Sequence, residues 1–255
     1  MAYRYDEDLE FLQYMSSEEL ESFADVLIRD PKDGEKRWTE EITKSGNYIR
    51  YGKDYAKYWK DLAEEFQKFG GNTFANMARG HGVLYREILC DVCDKQKVSY
   101  NKGTPTQQIE IYLLQKILDD IFEKLNEEQI KELADELGID HINIKTQGFV
   151  AASMLTFRLG GFASYQLTLR MINLVWKFLF GHGLKLATNA TIARILSIAT
   201  GPIGWAITGV WTAWDIASPA FRVTFPAVLQ IIALRQIYMN KDLEKQNNNP
   251  DLLKI

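Results

Sequence analysis

Cys90 and Cys93, in the string REILCDVCDK, are the residues of this 255-residue chain whose type and spacing first suggest chemistry. A zinc site needs four soft or imidazole ligands. His81 would bring the set to three and no second pair stands nearby, so the spacing does not make a metal centre. A redox pair needs its first cysteine at a helix N-terminus, where the thiolate is stabilised. Here it falls inside a predicted helix, after Glu87 and among Asp91 and Asp94, whose negative charge disfavours a thiolate, so both cysteines read as structural. His81, His141 and His182 lie far apart. The GHG strings at 80–82 and 181–183 resemble half of a phosphate loop, but they follow no strand-like run and lack the third glycine and the lysine. No Gly-x-Ser-x-Gly elbow, His-Glu-x-x-His pair or Walker motif occurs, and Asp119 and Asp120 fall on a helix face expected to be solvated. The expectation is a non-enzymatic protein with no catalytic residue, no metal ligand set and no cofactor.

Charge and apolar surface are the remaining sources of function. Residues 1–145 carry a net charge of −10, residues 146–239 carry +6 with Asp215 as the sole acid, and the tail from Asn240 is neutral. Such asymmetry points to a basic surface that meets anions. Nucleic acid is disfavoured, because the positive charges are mixed with bulky aliphatics and the acidic half would repel phosphate. An anionic lipid surface fits better. Arg170 and Lys177 share a narrow polar stripe on a helix that also carries Trp176, and Trp205, Trp211 and Trp214 could be interfacial anchors or large core residues. Asp215 and Arg222 flank a turn closely enough to pair, either as a buried salt bridge in a core or as an ionisable pair within a membrane.

The elements that must position these residues are helical. Ser16 to Glu19 is a capping box opening a helix whose apolar face is Leu20, Phe23, Ala24 and Leu27, closed by the turn Asp33-Gly34. Tyr48 to Phe69 reads as a second amphipathic helix, Phe74 to Val98 as a third interrupted at 80–82, and Thr106 to Leu125 as a long fourth. The strings at 15–27 and 125–137 echo each other as capped short helices, which capping and periodicity alone explain. Ala163 to Phe180 is the basic amphipathic helix, broken at Gly181. Residues 195–214 are uncharged over a length that would cross a bilayer, yet Gly201 and Pro202 favour two short helices over one span. Ser218 and Pro219 start a last helix, with a kink expected at Pro226 and an end near Met239. The chain divides into an acidic helical region 1–145 (a unit at 1–35 and main helices at 45–145), an apolar basic region 146–239, and a tail 240–255 expected to be disordered.

Three strings, YRYDEDLEFL at 3–12, the run at 69–95 and GPIGWAITGVWTAWDIASPAFRVTFPAVLQIIALRQ at 201–236, together resemble the YaaW-like family of uncharacterised bacterial proteins. That family is grouped distantly with the ubiquinol-cytochrome c chaperone domain, a helical module that helps assemble a membrane respiratory complex. The resemblance implies an all-α fold and a bacterial source, and it carries over no catalytic residues. The absence of a disulfide framework and of an apolar run in MAYRYDEDLEFL leads us to expect the bacterial cytoplasm, with the protein peripheral to or inserted in the inner membrane. The leading expectation is membrane association through the apolar basic half, with a switchable, toxin-like or effector-like insertion. The alternative is an assembly chaperone or adaptor that binds a partner's helix in an apolar groove. A homo-oligomer is compatible with either.

Overall fold

The computed structural model describes residues 3–70, 82–123, 125–129, 131, 161–186 and 220–247. Among them the chain is helical, and its only β feature is an isolated antiparallel bridge between Arg29 and Lys36. Helix α1 (Ser17–Ile28) begins at the expected capping box: Ser16 Oγ accepts from Glu19 N at 3.2 Å while Glu19 Oε2 accepts from Ser16 N at 2.7 Å. Its buried face contains Leu20, Phe23, Ala24 and Leu27.

The single helix expected over Tyr48 to Phe69 is divided. Helix α2 (Gly46–Tyr51) is capped by Ser45 and stops at Gly52, whose φ of 58° needs a residue without Cβ. A 3₁₀ turn at Tyr55–Tyr58 then leads into helix α3 (Trp59–Phe69). The 3–4 spacing of the aromatics survives the interruption because the turn also buries Tyr55 and Tyr58. Helix α4 (Tyr85–Lys95) carries both cysteines, and helix α5 (Thr106–Phe122) follows a loop. Helix α6 (Gly161–Phe180) ends where expected, at Gly181 with φ 74°.

Helix α7 (Phe221–Asn247) is the axis of the bundle, packing against α6, α1, α4, α3 and the 3₁₀ turn at Glu10–Tyr14. A helix apolar all round belongs in a core or a membrane. Here the core takes it, burying Val223, Phe225, Val228, Ile231, Leu234 and Ile237. The expected end of the helix is corrected. The helix runs to Asn247 rather than ending near Met239, so residues 240–247 are helical and not a disordered tail. Pro226, where a kink is expected, lies inside this continuous helix. Proline removes the N–H that would bond to the carbonyl four residues back, that of Arg222. Arg37 Nη2 donates to that carbonyl instead, at 3.2 Å, and the helix continues.

Candidate functional site

One buried polar set joins three helices and the N-terminal segment. The Tyr85 hydroxyl, at the start of α4, donates to Glu110 Oε1 of α5 at 2.7 Å, and Arg235 Nε of α7 donates to the same oxygen at 3.1 Å. Arg235 Nη2 donates to the Asp8 carbonyl at 2.9 Å, and its guanidinium lies over the rings of Phe11 and Tyr85, 4.8 and 5.5 Å from their centroids. Glu110 is 1% exposed and Arg235 5%, and Glu110 Oε2 has no hydrogen-bond partner among the described residues.

The charge state of this set follows from asymmetry between the two partners. Burial pushes the Glu110 carboxyl up, opposed by Arg235, while the carboxylate helps hold Arg235 in its charged form against burial. Arginine does not give up its proton in proteins, so protonating Glu110 would strand a buried cation without a counter-charge. We therefore assign an ion pair. Burial also holds the Tyr85 phenol far above its ordinary range. Enclosed this way, the set clamps helices rather than meeting a substrate.

The N-terminal segment is pinned to the same place. Leu84 gives the N-terminus of α4 no side-chain cap, and Asp6 supplies one from far along the chain, its Oδ2 accepting from Tyr85 N at 2.6 Å. The Gln67 amide donates to the Arg4 carbonyl at 2.9 Å and accepts from Arg4 N at 3.1 Å. Thr106, opening α5, donates to Asp8 Oδ2 at 3.0 Å. No local pattern in the sequence announces these links, because each joins residues brought together only by the fold. YRYDEDLEFL contributes to the family resemblance, and two of its acids, Asp6 and Asp8, bond the first residues of α4 and α5.

A second buried acid set lies where the segment preceding α2, residues 36–43, meets α3. Glu65 is pushed up to about 7 by burial, and its Oε1 accepts from Glu41 N at 2.8 Å. Glu40 is fully buried, accepting from Thr43 N at 2.9 Å and pairing with Lys36 at 2.9 Å. Both carboxyls are committed to backbone ends.

Of the residues singled out from sequence, Arg170, Trp176 and Lys177 lie on α6 and Arg222 and Pro226 on α7. Trp176 is 3% exposed and packs on Phe180 at 4.6 Å, so among the described residues it belongs to the core of the bundle. Arg170 is half-buried, and burial lowers its affinity for a proton; Lys177 is also half-buried. Arg222 contributes its carbonyl to Arg37, whereas Asp215 lies outside the described residues, as do Gly201, Pro202, Trp205, Trp211, Trp214 and Pro219. Cys93 is buried and its thiol is pushed up to about 12, while Cys90 is half-buried. Asp120 pairs with Lys116, and half-burial pushes Asp119 up to about 6, so Asp119 is less solvated than expected. Among the described residues, no three His, Cys, Asp or Glu side chains form a metal-binding group. No helix among them is long and apolar enough to cross a membrane.

Residues 54–228 match the family model described as Ubiquinol-cytochrome C chaperone, and residues 3–38 match one described as Domain of unknown function (DUF3944). Within that class the chain belongs to the UPF0174, or YaaW-like, family. It is 52% identical over 236 residues to a UPF0174 protein of Helicobacter pylori strain J99, covering 92% of this chain and 93% of the relative. A second protein of that strain is 44% identical over 202 residues, which is 77% of this chain and 97% of the relative. UPF0174 protein YaaW of Escherichia coli K12 is 32% identical over 240 residues, 92% of this chain and 96% of the relative. No solved structure gives a significant match.

Proposed function

We propose that the protein is a non-enzymatic assembly chaperone or adaptor that holds a helix of a membrane-protein partner in an apolar groove. The observation that carries this reading is the match of residues 54–228 to the chaperone family over an all-helical body. Helix-in-groove recognition uses the same ridge-and-groove packing that builds such a bundle. Burial of Glu110, Arg235 and Tyr85 supports a structural use of the strongest polar set rather than acid–base work. We place the protein in the bacterial cytoplasm at the inner membrane, where such a partner is assembled.

Direct association with an anionic membrane is the second reading, favoured by the +6 charge of residues 146–239. It has less support, because Trp176 and the apolar residues of α7 are buried within the bundle.

The experiment mixes detergent-free protein with a synthetic apolar helix of about 20 residues, long enough to span a bilayer, and separately with anionic liposomes. The chaperone reading expects light scattering from the aggregating peptide to be suppressed at near-stoichiometric protein. Unchanged aggregation, together with sedimentation on liposomes that falls with salt, would overturn it.

A further inference from the structure

Helix α1 belongs to residues 3–38, whereas the chaperone match covers residues 54–228, so α1 meets that module through α3 and the turn at Tyr55–Tyr58, and most of α7, on which it also packs, lies beyond the match. The contact has the form of an amphipathic helix laid in a groove. Its apolar face is buried against α7, α3 and the turn at Tyr55–Tyr58, and its outer edge is acidic. Basic residues of the body meet that edge: Lys53 pairs with Glu21, and Lys241 pairs with Glu19 at 3.1 Å while donating to the Tyr14 carbonyl at 3.0 Å. At the other end, Arg37, which follows α1 and holds the Val26 carbonyl, donates to the Arg222 carbonyl. Helix α1 therefore runs antiparallel to α7.

Val223, Ala227, Gln230, Leu234, Ile237 and Lys241 follow one another at spacings of three and four along α7, which places them on one stripe. The stripe ends in the lysine that holds Glu19. Gln230 is fully buried within it, and neither its amide nitrogen nor its amide oxygen has a hydrogen-bond partner among the described residues. A buried amide left unmade is costly, and such a group in a native fold needs a reason. The buried face of α1, with Leu20, Phe23, Ala24 and Leu27, offers it no polar side chain.

We infer that this stripe of α7 is the client groove, that α1 is its resident occupant, and that the client is an acidic-edged amphipathic helix carrying a polar side chain that Gln230 recognises. The inference rests on the chaperone reading and adds to it the site, the occupant's chemistry and a form of regulation, since a client must displace α1. Exposing Leu20, Phe23 and Leu27 without replacement would be strongly unfavourable, so displacement is coupled to client entry.

The test uses the full chain and needs no identified client. Glu19→Lys weakens the resident helix by removing both its capping box and its pair with Lys241, leaving the groove intact. A fluorescein-labelled peptide of residues 16–29, and versions with Asn replacing Leu20, Phe23, Ala24 or Leu27 singly, are titrated by anisotropy against this chain with and without Gln230→Leu. At one position the Asn peptide is expected to bind about tenfold more tightly when Gln230 is present than when Gln230→Leu has been made, while the unsubstituted peptide is not weakened by Gln230→Leu. Equal ratios at all four positions overturn the inference, as does a peptide that binds neither chain. Should Glu19→Lys fail to fold, native-state hydrogen exchange of the unaltered chain decides: α1 opening below the global unfolding free energy while α3 and α5 stay protected supports it, and α1 opening only with global unfolding overturns it. The same titration with a transmembrane helix separates the two claims. If the Asn coupling is present and that helix is ignored, the groove stands and the chaperone reading falls. If that helix binds and the coupling is absent, the reverse holds.

Discussion

Replacing Glu110 by leucine removes the side-chain acceptor of Arg235 in the buried set and leaves a guanidinium that cannot discharge. Removing one partner of a buried pair costs about 3–5 kcal/mol, because the other charge is left uncompensated. For a chain of this size each kcal/mol lowers Tm by roughly 2–4 °C, so Glu110→Leu is expected to lose about 6–20 °C. Arg235→Met should cost less, since the stranded carboxyl, already pushed up by burial, takes up a proton and keeps its bond from Tyr85. The double variant should recover most of the loss, as apolar replacement of a whole buried pair is often neutral. Thermal melts by circular dichroism at pH 7 complete the cycle. A Glu110→Leu loss below about 2 °C, or a double variant no better than the sum of the singles, would refute the clamp.

Other expectations follow from single contacts. Glu65 is raised in the folded state, so its contribution to stability is full below its ordinary value of 4.5 and is lost as pH rises through about 7. Relative to Glu65→Gln, the unaltered chain should therefore weaken by on the order of 3 kcal/mol between pH 4 and pH 8 in urea titrations; a constant difference would contradict this. Gly70→Ala puts a Cβ 2.2 Å from Ile88 Cγ1 and 2.3 Å from Ile88 Cδ1 and should lower Tm, and Ile88→Ala, which removes both atoms, should make the added Cβ less costly. Ser16→Ala should cost about 1 kcal/mol by removing the cap of α1, read from the shift of its urea midpoint. Arg37→Met should destabilise α7 near Pro226, visible as faster hydrogen exchange of its first turns, because the carbonyl of Arg222 loses its donor.

What the sequence discloses is whatever is written in local spacing. The capping box at Ser16, the apolar face of α1, the break at Gly181 and the all-helical class can be read directly, because each depends on residues within a few positions of one another. The division at Gly52 is hidden because Tyr55 and Tyr58 keep the helical spacing while belonging to a 3₁₀ turn. What supports the helix across Pro226 is tertiary and so is hidden from the sequence, since the donor to the Arg222 carbonyl is Arg37. The apolar richness of α7 is compatible with both a membrane and a core, and only its burial within the bundle distinguishes them. Nothing near Glu110, Tyr85 or Arg235 marks them in sequence, as each looks like an ordinary helix residue until the fold brings the three together. Gln230 is equally inconspicuous, because an unmatched amide is visible only in its surroundings.

Whether the body holds a helix is decided by sedimentation velocity of the detergent-free protein with a labelled apolar helical peptide. A soluble one-to-one complex is expected, in which the peptide moves with the protein. A peptide that pellets as it does alone, while the protein stays unliganded, would contradict it.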